Sequence, residues 1–320
     1  MSPVLEIDHR NSNDQKAITF KHILTATDFS DVSGRALNYA SAMACRYGSR
    51  ISVVHVLPPD PHEPFPIYPL PPELDRRQLD AQRKMQLLGI SVAGLQHQMR
   101  IEHGRVWDVL DSLIQRENID LLVLGSSGRG GMKKLALGSV AEEVLRRAPC
   151  PVLIVGPNVP ALGSGTARFS RILFATDFGD SCYRAFQYAL GLAEDCCAKL
   201  VLVYIVPPMP VPELGPVVYC PGAYLADTLV KWEERERVEG LKKLRALLPA
   251  NSNLPAPPEF VVETGLPPEG ILRAAASSKA ELIVMGARRT PTARAAAHSP
   301  WGLTHEVICQ ARCPVLTVGN

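Results

Sequence analysis

Short, almost unbroken apolar runs alternate along this chain with longer stretches in which apolar residues recur every three or four positions. The runs at 22–27, 51–57, 121–124 and 152–155 are short and predict strands; 51–57, nearly continuous in β-branched residues, predicts one covered on both faces. Residues 98–102 are expected to add a short strand. Between the first two runs, Ala36, Leu37, Ala40, Met43, Ala44 and Tyr47 share one helical face, and Gly48 stops that helix. Val106, Val109, Leu110, Leu113 and Ile114 mark a second amphipathic face. A charged helix is expected over 74–96, and another from Gly138 to about Arg147, where Pro149-Cys150-Pro151 breaks it. Strands and helices joined by crossover-length connections predict a parallel, doubly wound α/β sheet. Ligands of such sheets bind beyond the carboxyl ends of the strands. Asp28, Val56 and the residues after Leu124 all lie at such ends.

The pattern then begins again. Residues 171–178 (RILFATDF) repeat the run that ends at Phe29, 149 positions further on. Residues 281–286 repeat 120–125 at an offset of 161, and Cys313-Pro314-Val315-Leu316 repeats Cys150-Pro151-Val152-Leu153 at 163. The growing offset places two extra residues in the second copy's loop. The chain therefore reads as one domain duplicated in tandem. The expected layout is an N-terminal arm at 1–19, a first domain at 20–156, a Gly/Pro-rich linker at 157–169 and a second domain at 170–320. Proline-rich excursions at 58–73 and 207–223 interrupt both copies at the same place.

Candidate chemistry concentrates in LLVLGSSGRGGMKKLALGSV, residues 121–140. A strand leads into a Gly-rich basic loop, and Gly138-Ser139-Val140 opens a helix. Glycines let backbone N–H groups turn toward a ligand, and a helix start supplies unpaired N–H groups with a favourable dipole. Gly125, Ser126, Gly128, Gly138, Ser139 and Val140 thus form a candidate phosphate cradle, with Arg129, Lys133 and Lys134 as neutralising or merely solvating charges. Ser139 also reads as a helix cap, and so do Asp28 and Ser30. His55, which is Tyr204 in the repeat, reads as a packing or interdomain residue and not a ligand.

The second copy departs from this pattern. Arg289 stands where Gly128 would be, and Gly138-Ser139 aligns with Trp301-Gly302. Ser299-Pro300 is still a good helix start. The fold is expected to survive there without the cradle, the alternative being an anion held by Arg288, Arg289 and Arg294.

Composition narrows the function classes. Hydrophobic residues make up 46% of 320 and the net charge is only +2, so a large core is affordable and no basic surplus points to nucleic acid. No apolar signal segment or membrane-length run is present, so a soluble cytoplasmic protein without membrane partners is expected. Eight cysteines without a CxxC pair, and histidines without ligand spacing, suit buried free thiols and no metal site. The G-x4-G-K-[ST] loop of Walker-type NTPases is absent, as is any nucleophile elbow.

Thr27-Asp28-Phe29-Ser30, Val54-His55-Val56 and the G-x2-G-x9-G-S loop together resemble the universal stress protein family, in two copies covering nearly the whole chain. The resemblance implies two tandem five-stranded parallel-sheet domains of the Rossmann-like, adenine-nucleotide alpha hydrolase-like kind. It implies an intramolecular pseudo-dimer, with further homodimerisation open. It also implies an adenine nucleotide, ATP or else AMP or ADP, with magnesium as an optional companion. Asp28 would lie near adenine or ribose, and Val56 would offer backbone groups to the adenine edge. Gly125, Ser126 and Gly128 would wrap ribose and phosphates, and Gly138, Ser139 and Val140 would bind phosphate. The expected role is a nucleotide-binding stress-response or regulatory protein. A scaffold that binds no nucleotide, or a slow ATPase, are the alternatives; no catalytic residue is assigned.

Overall fold

The computed structural model describes residues 18–59, 76–127, 137–162, 168–208, 222–287 and 300–319, with the side chains of 222–228 and 300–301 left out. Gly128, Arg129, Lys133, Lys134, Arg288, Arg289 and Arg294 lie outside these residues, as do most of both proline-rich excursions.

In the first copy the order is β1 (His22–Ala26), α1 (Asp31–Tyr47), β2 (Arg50–Leu57), α2 (Arg76–Ser91), β3 (His97–His103), α3 (Val106–Glu117), β4 (Leu121–Gly125), α4 (Ser139–Arg147) and β5 (Val152–Val155). The second copy repeats it as β6 (Arg171–Thr176), α5 (Cys182–Cys196), β7 (Lys199–Val206), α6 (Gly222–Leu247), β8 (Glu259–Thr264), α7 (Pro267–Ser278), β9 (Leu282–Ala287), α8 (Pro300–Gln310) and β10 (Val315–Gly319). Helix α2 ends five residues before the expected 96, where Leu95 N–H bonds to Val92 O at 2.9 Å in a turn around Gly94.

The ten strands of the described residues form one sheet in the order β3-β2-β1-β4-β5-β10-β9-β6-β7-β8. Within each copy neighbouring strands are parallel. The copies join where β5 and β10 pair antiparallel, Leu153 opposite Leu316 and Val152 opposite Thr317. All four β5 residues are buried. Each copy alone would present that apolar strand as an open edge; pairing removes both edges at once.

Strand residues alternate between two apolar layers. Ile23, Leu121 and Val123 face α1, with Ala36, Ala40 and Met43; Leu24, Leu122 and Leu124 face α3 and α4, with Leu110, Ala141 and Val144. Both layers continue into the second copy, through Phe174 and Phe186 on one face and Leu173 and Ile271 on the other. The core is therefore shared across the β5–β10 seam. Other contacts tie the copies. Phe20 is buried and its ring stacks at 6.2 Å on Tyr188 of α5. Tyr47 Oη donates to Asp195 at 3.2 Å, and Arg46 donates to the Asp195 carbonyl. The connecting segment takes part too: Val159 and Phe169 are both buried.

Candidate functional site

The turn after β1 is built by side chains that accept from their own backbone. Thr27 Oγ1 accepts from Phe29 N–H at 3.0 Å, and Asp28 Oδ1 accepts from Ser30 N–H at 3.0 Å and Ser30 Oγ at 2.6 Å. Ser30 is the N-cap of α1, accepting from Ser33 N–H. Phe29 is thereby held at φ 63°, a left-handed conformation uncommon for a bulky residue. Its ring packs at 4.3 Å on His55, whose Nδ1 bonds the Thr27 carbonyl at 2.7 Å. The second copy rebuilds the same turn: Thr176 Oγ1 accepts from Phe178 N–H, Asp177 Oδ1 accepts from Gly179 N–H, and Phe178 has φ 57°. Ser30 is thus the cap, while Asp28 fixes the turn that carries it. His55 is a packing residue within its own copy.

Val56 sits near the end of β2 with its side chain buried. Val54 O accepts from Thr27 N–H at 2.9 Å. Two residues on, the same edge of β2 extends past the last residue of β1, so the backbone groups of Val56 face the mouth of the sheet.

Gly125 ends β4 against the first turn of α1. A Cβ there would stand 3.1 Å from Ser33 N and 3.1 Å from a Val32 methyl. The equivalent Gly286 meets Ser181 in the same way, with its virtual Cβ 3.0 Å from the Ser181 Cβ. Close packing of strand on helix therefore explains this glycine in both copies, independently of any ligand.

Ser126 is different. Its N–H bonds to Val155 O at 2.9 Å and its carbonyl accepts from Gly138 N–H at 2.7 Å, so its backbone is satisfied. The residue is 1% exposed, yet its hydroxyl has no hydrogen-bond partner among the described residues. Buried hydroxyls are seldom left so. The second copy has Ala287 here, which carries no hydroxyl to satisfy.

The Ser126–Gly138 bond closes the loop at its base and sets the start of α4 beside β4. Gly138, not Ser139, is the N-cap, with φ −70° and no side-chain cap bond. Glu142 N–H makes the first helical bond, to Gly138 O at 2.9 Å. The N–H groups of Ser139, Val140 and Ala141 are those that a helix start leaves without intrahelical partners. Ser139 itself is exposed and Val140 half-buried. The carboxyl ends of β1, β2 and β4 and the start of α4 thus bring Asp28, Val56, Gly125, Ser126, Gly138, Ser139 and Val140 to one rim of the sheet. A groove of about 640 Å³ is lined by Thr27, Phe29 and Ser30 of this turn together with Asp31, Arg35, Lys84, Leu88 and Pro160 among others.

The seven described cysteines are free thiols, and burial pushes the Cys313 thiol up to about 12, which leaves it a poor nucleophile. Among the described residues no cluster of His, Cys, Asp and Glu could hold a metal ion, and no helix is long and apolar enough to cross a membrane.

His305 of α8 accepts the Leu137 N–H through Nε2 at 3.0 Å, across the boundary between the copies.

Residues 19–156 and 168–319 each match the universal stress protein family. A universal stress protein of Thermus aquaticus, from the 3' region of a QAH/OAS sulfhydrylase gene, is 35% identical over 140 residues, covering 42% of this chain and 98% of that protein. One from Methanocaldococcus jannaschii is 29% identical over 140 residues, covering 42% of this chain and 82% of that protein. Among solved structures, a universal stress protein from Archaeoglobus fulgidus superposes with a TM-score of 0.59 at 21% identity, covering 93% of this chain and 98% of its own. The single-copy relatives span about one of the two halves, and the Archaeoglobus structure carries the fold of both. With both halves matched, the chain belongs to the universal stress protein family, as a tandem of two family domains.

Proposed function

We propose that the first copy binds one adenine nucleotide per chain, ATP or else AMP or ADP, and that its occupancy is read by a partner in a stress-response or regulatory role. The observation that carries this reading is the pairing of a helix start without a side-chain cap bond from its N-cap Gly138 with the buried Ser126 hydroxyl, which has no partner among the described residues. An anion on the N–H groups of Ser139 and Val140 gains from the orphan donors and the helix dipole, and it would offer Ser126 Oγ the acceptor that hydroxyl lacks among the described residues. Asp28, already oriented by Ser30, would take a ribose or adenine donor, and the backbone of Val56 would meet the adenine edge. Magnesium would accompany the triphosphate, held largely by phosphate oxygens and water as that cation usually is.

The second copy supports the reading by contrast. It keeps the turn at Asp177 and the packing glycine Gly286, the two features the fold itself requires. It has Ala287 for Ser126 and Trp301-Gly302 for Gly138-Ser139. What it lacks is what a phosphate would need. The role there is that of a fused partner.

The test is to denature purified protein and identify any released small molecule by mass spectrometry, then to titrate nucleotide-free protein with ATP while following its melting. A ligand that binds only the folded state at a hundred times its Kd stabilises by about 2.7 kcal/mol. Absence of both a released adenine nucleotide and a melting shift at millimolar ATP would overturn the proposal.

A further inference from the structure

Two consecutive amides lead into α4, and they are held from different halves of the molecule. Gly138 N–H is held by Ser126 O of its own copy at 2.7 Å. Leu137 N–H is held by His305 Nε2 of the other copy at 3.0 Å. His305 is not a loose surface side chain. It shares a face of α8 with Ile308 and Cys309, three and four residues on. Ile308 O lies 2.6 Å from where a Gly156 Cβ would be, and Cys309 O accepts from Asn158 Nδ2 at 3.1 Å. One helix face of the second copy is thus seated at three places: the entry to α4, Gly156 at the end of the first copy, and Asn158 in the connecting segment. For Nε2 to accept, the ring must be neutral with its proton on Nδ1.

The internal repeat shows that this contact runs one way. At the offset of 163, Leu137 corresponds to Pro300 and His305 to Glu142. Proline has no N–H to donate, so the reciprocal bond cannot form at the start of α8. The tether is present on the copy with the Gly-rich loop and absent on the copy without it.

We infer that His305 is a positioning residue for the first copy's anion site: the second copy holds the Leu137 amide, and with it the start of α4, in the arrangement that receives phosphate. This rests on the nucleotide reading above. The degenerate copy thereby completes the intact one, and a change that shifts α8 changes affinity at the first copy without touching ligand.

The test uses the full chain and three forms: wild type, His305→Ala and His305→Gln, whose amide oxygen can accept in place of Nε2. Amide exchange without nucleotide and ATP affinity by calorimetry are measured for each. Loss of one neutral hydrogen bond is worth a factor of about three to ten. His305→Ala is expected to speed exchange at Leu137 by about that factor and to raise the Kd for ATP similarly, with stoichiometry unchanged; His305→Gln is expected to restore both. Unchanged Leu137 exchange in His305→Ala overturns the tether. Faster exchange with wild-type ATP affinity overturns the positioning role, as does equal loss of affinity in both variants. If wild type binds no nucleotide, the functional reading fails and the inference with it, whereas the preceding outcomes refute the inference alone.

Discussion

Replacing Ser126 by alanine should make the nucleotide-free protein more stable and the nucleotide site worse. The hydroxyl is buried with no partner among the described residues, while the N–H and carbonyl of the same residue are fully used. The substitution therefore removes one polar group and leaves the loop closure to Gly138 intact. A buried polar group without a partner costs about 1–3 kcal/mol. Losing one small atom from a packed site returns part of that, so a net gain of about 1 kcal/mol is expected. For domains of this size that corresponds to a melting rise of roughly 3 °C. The repeat has already made the change, with Ala287 in the copy that lacks the cradle. A control separates stability from binding. Thr25 Oγ1 is likewise buried without a partner among the described residues, in the strand before the turn. Thr25→Val should raise the midpoint comparably and leave ATP affinity alone, whereas Ser126→Ala should raise the midpoint and weaken ATP binding. The assays are urea and thermal melts with and without ATP. If Ser126→Ala lowers the nucleotide-free midpoint, the hydroxyl is satisfied and the argument from it is wrong. If the variant binds ATP as well as wild type does, the hydroxyl is no part of the site.

Two other predictions concern the frame around the site. Gly125→Ala and Gly286→Ala should each destabilise by about 1–3 kcal/mol through overpacking against α1 and α5, measurable as a shift in urea midpoint; an effect confined to ATP binding by Gly125→Ala would show that its packing role is overstated. His22 is buried at the start of β1, with Nε2 2.8 Å from Ser52 Oγ and Nδ1 2.9 Å from the Arg50 guanidinium. Burial first, then the Arg50 charge, holds its pKa below the ordinary 6.5. The unfolded chain then binds the proton more readily, so this contribution to stability is complete above pH 6.5 and is lost as pH falls from there through the lowered native value. The urea midpoint should drop between about pH 7 and 5, and less steeply in His22→Gln, because glutamine does not titrate; identical slopes would refute this.

Much of the frame was legible in the residues. The repeated strands announce themselves because a strand buried on both faces must be apolar throughout, as residues 121–124 and 282–285 are. The joining of the copies was less legible. Nothing in VLIV says which strand lies beside it, and the antiparallel β5–β10 seam follows from two apolar edges that only the assembled sheet brings together. The candidate site was legible unevenly. The apolar pattern puts Asp28 just after β1 and Gly138 at the start of α4, where the structure has them, whereas Gly125, which reads in the sequence as part of a phosphate cradle, has a packing reason shared with Gly286. A close approach between strand and helix leaves no local sequence mark other than the glycine itself. His305 escaped because its partner is a backbone amide 168 residues away. The available signal was the mismatch between the copies, leucine and glutamate in the first against proline and histidine in the second.

The central claim, one cradle in the first copy and none in the second, is tested most directly by calorimetric titration of nucleotide-free protein with ATP, beside the same titration of Gly138→Trp. Gly138 has φ −70° and ψ 149°, which any residue can adopt, so the variant gives the first copy the bulk the second carries at Trp301 without backbone strain. The account predicts one ATP bound per wild-type chain and none per variant chain, with the fold of both intact by circular dichroism. Two sites per chain, or binding that survives in Gly138→Trp, would contradict it.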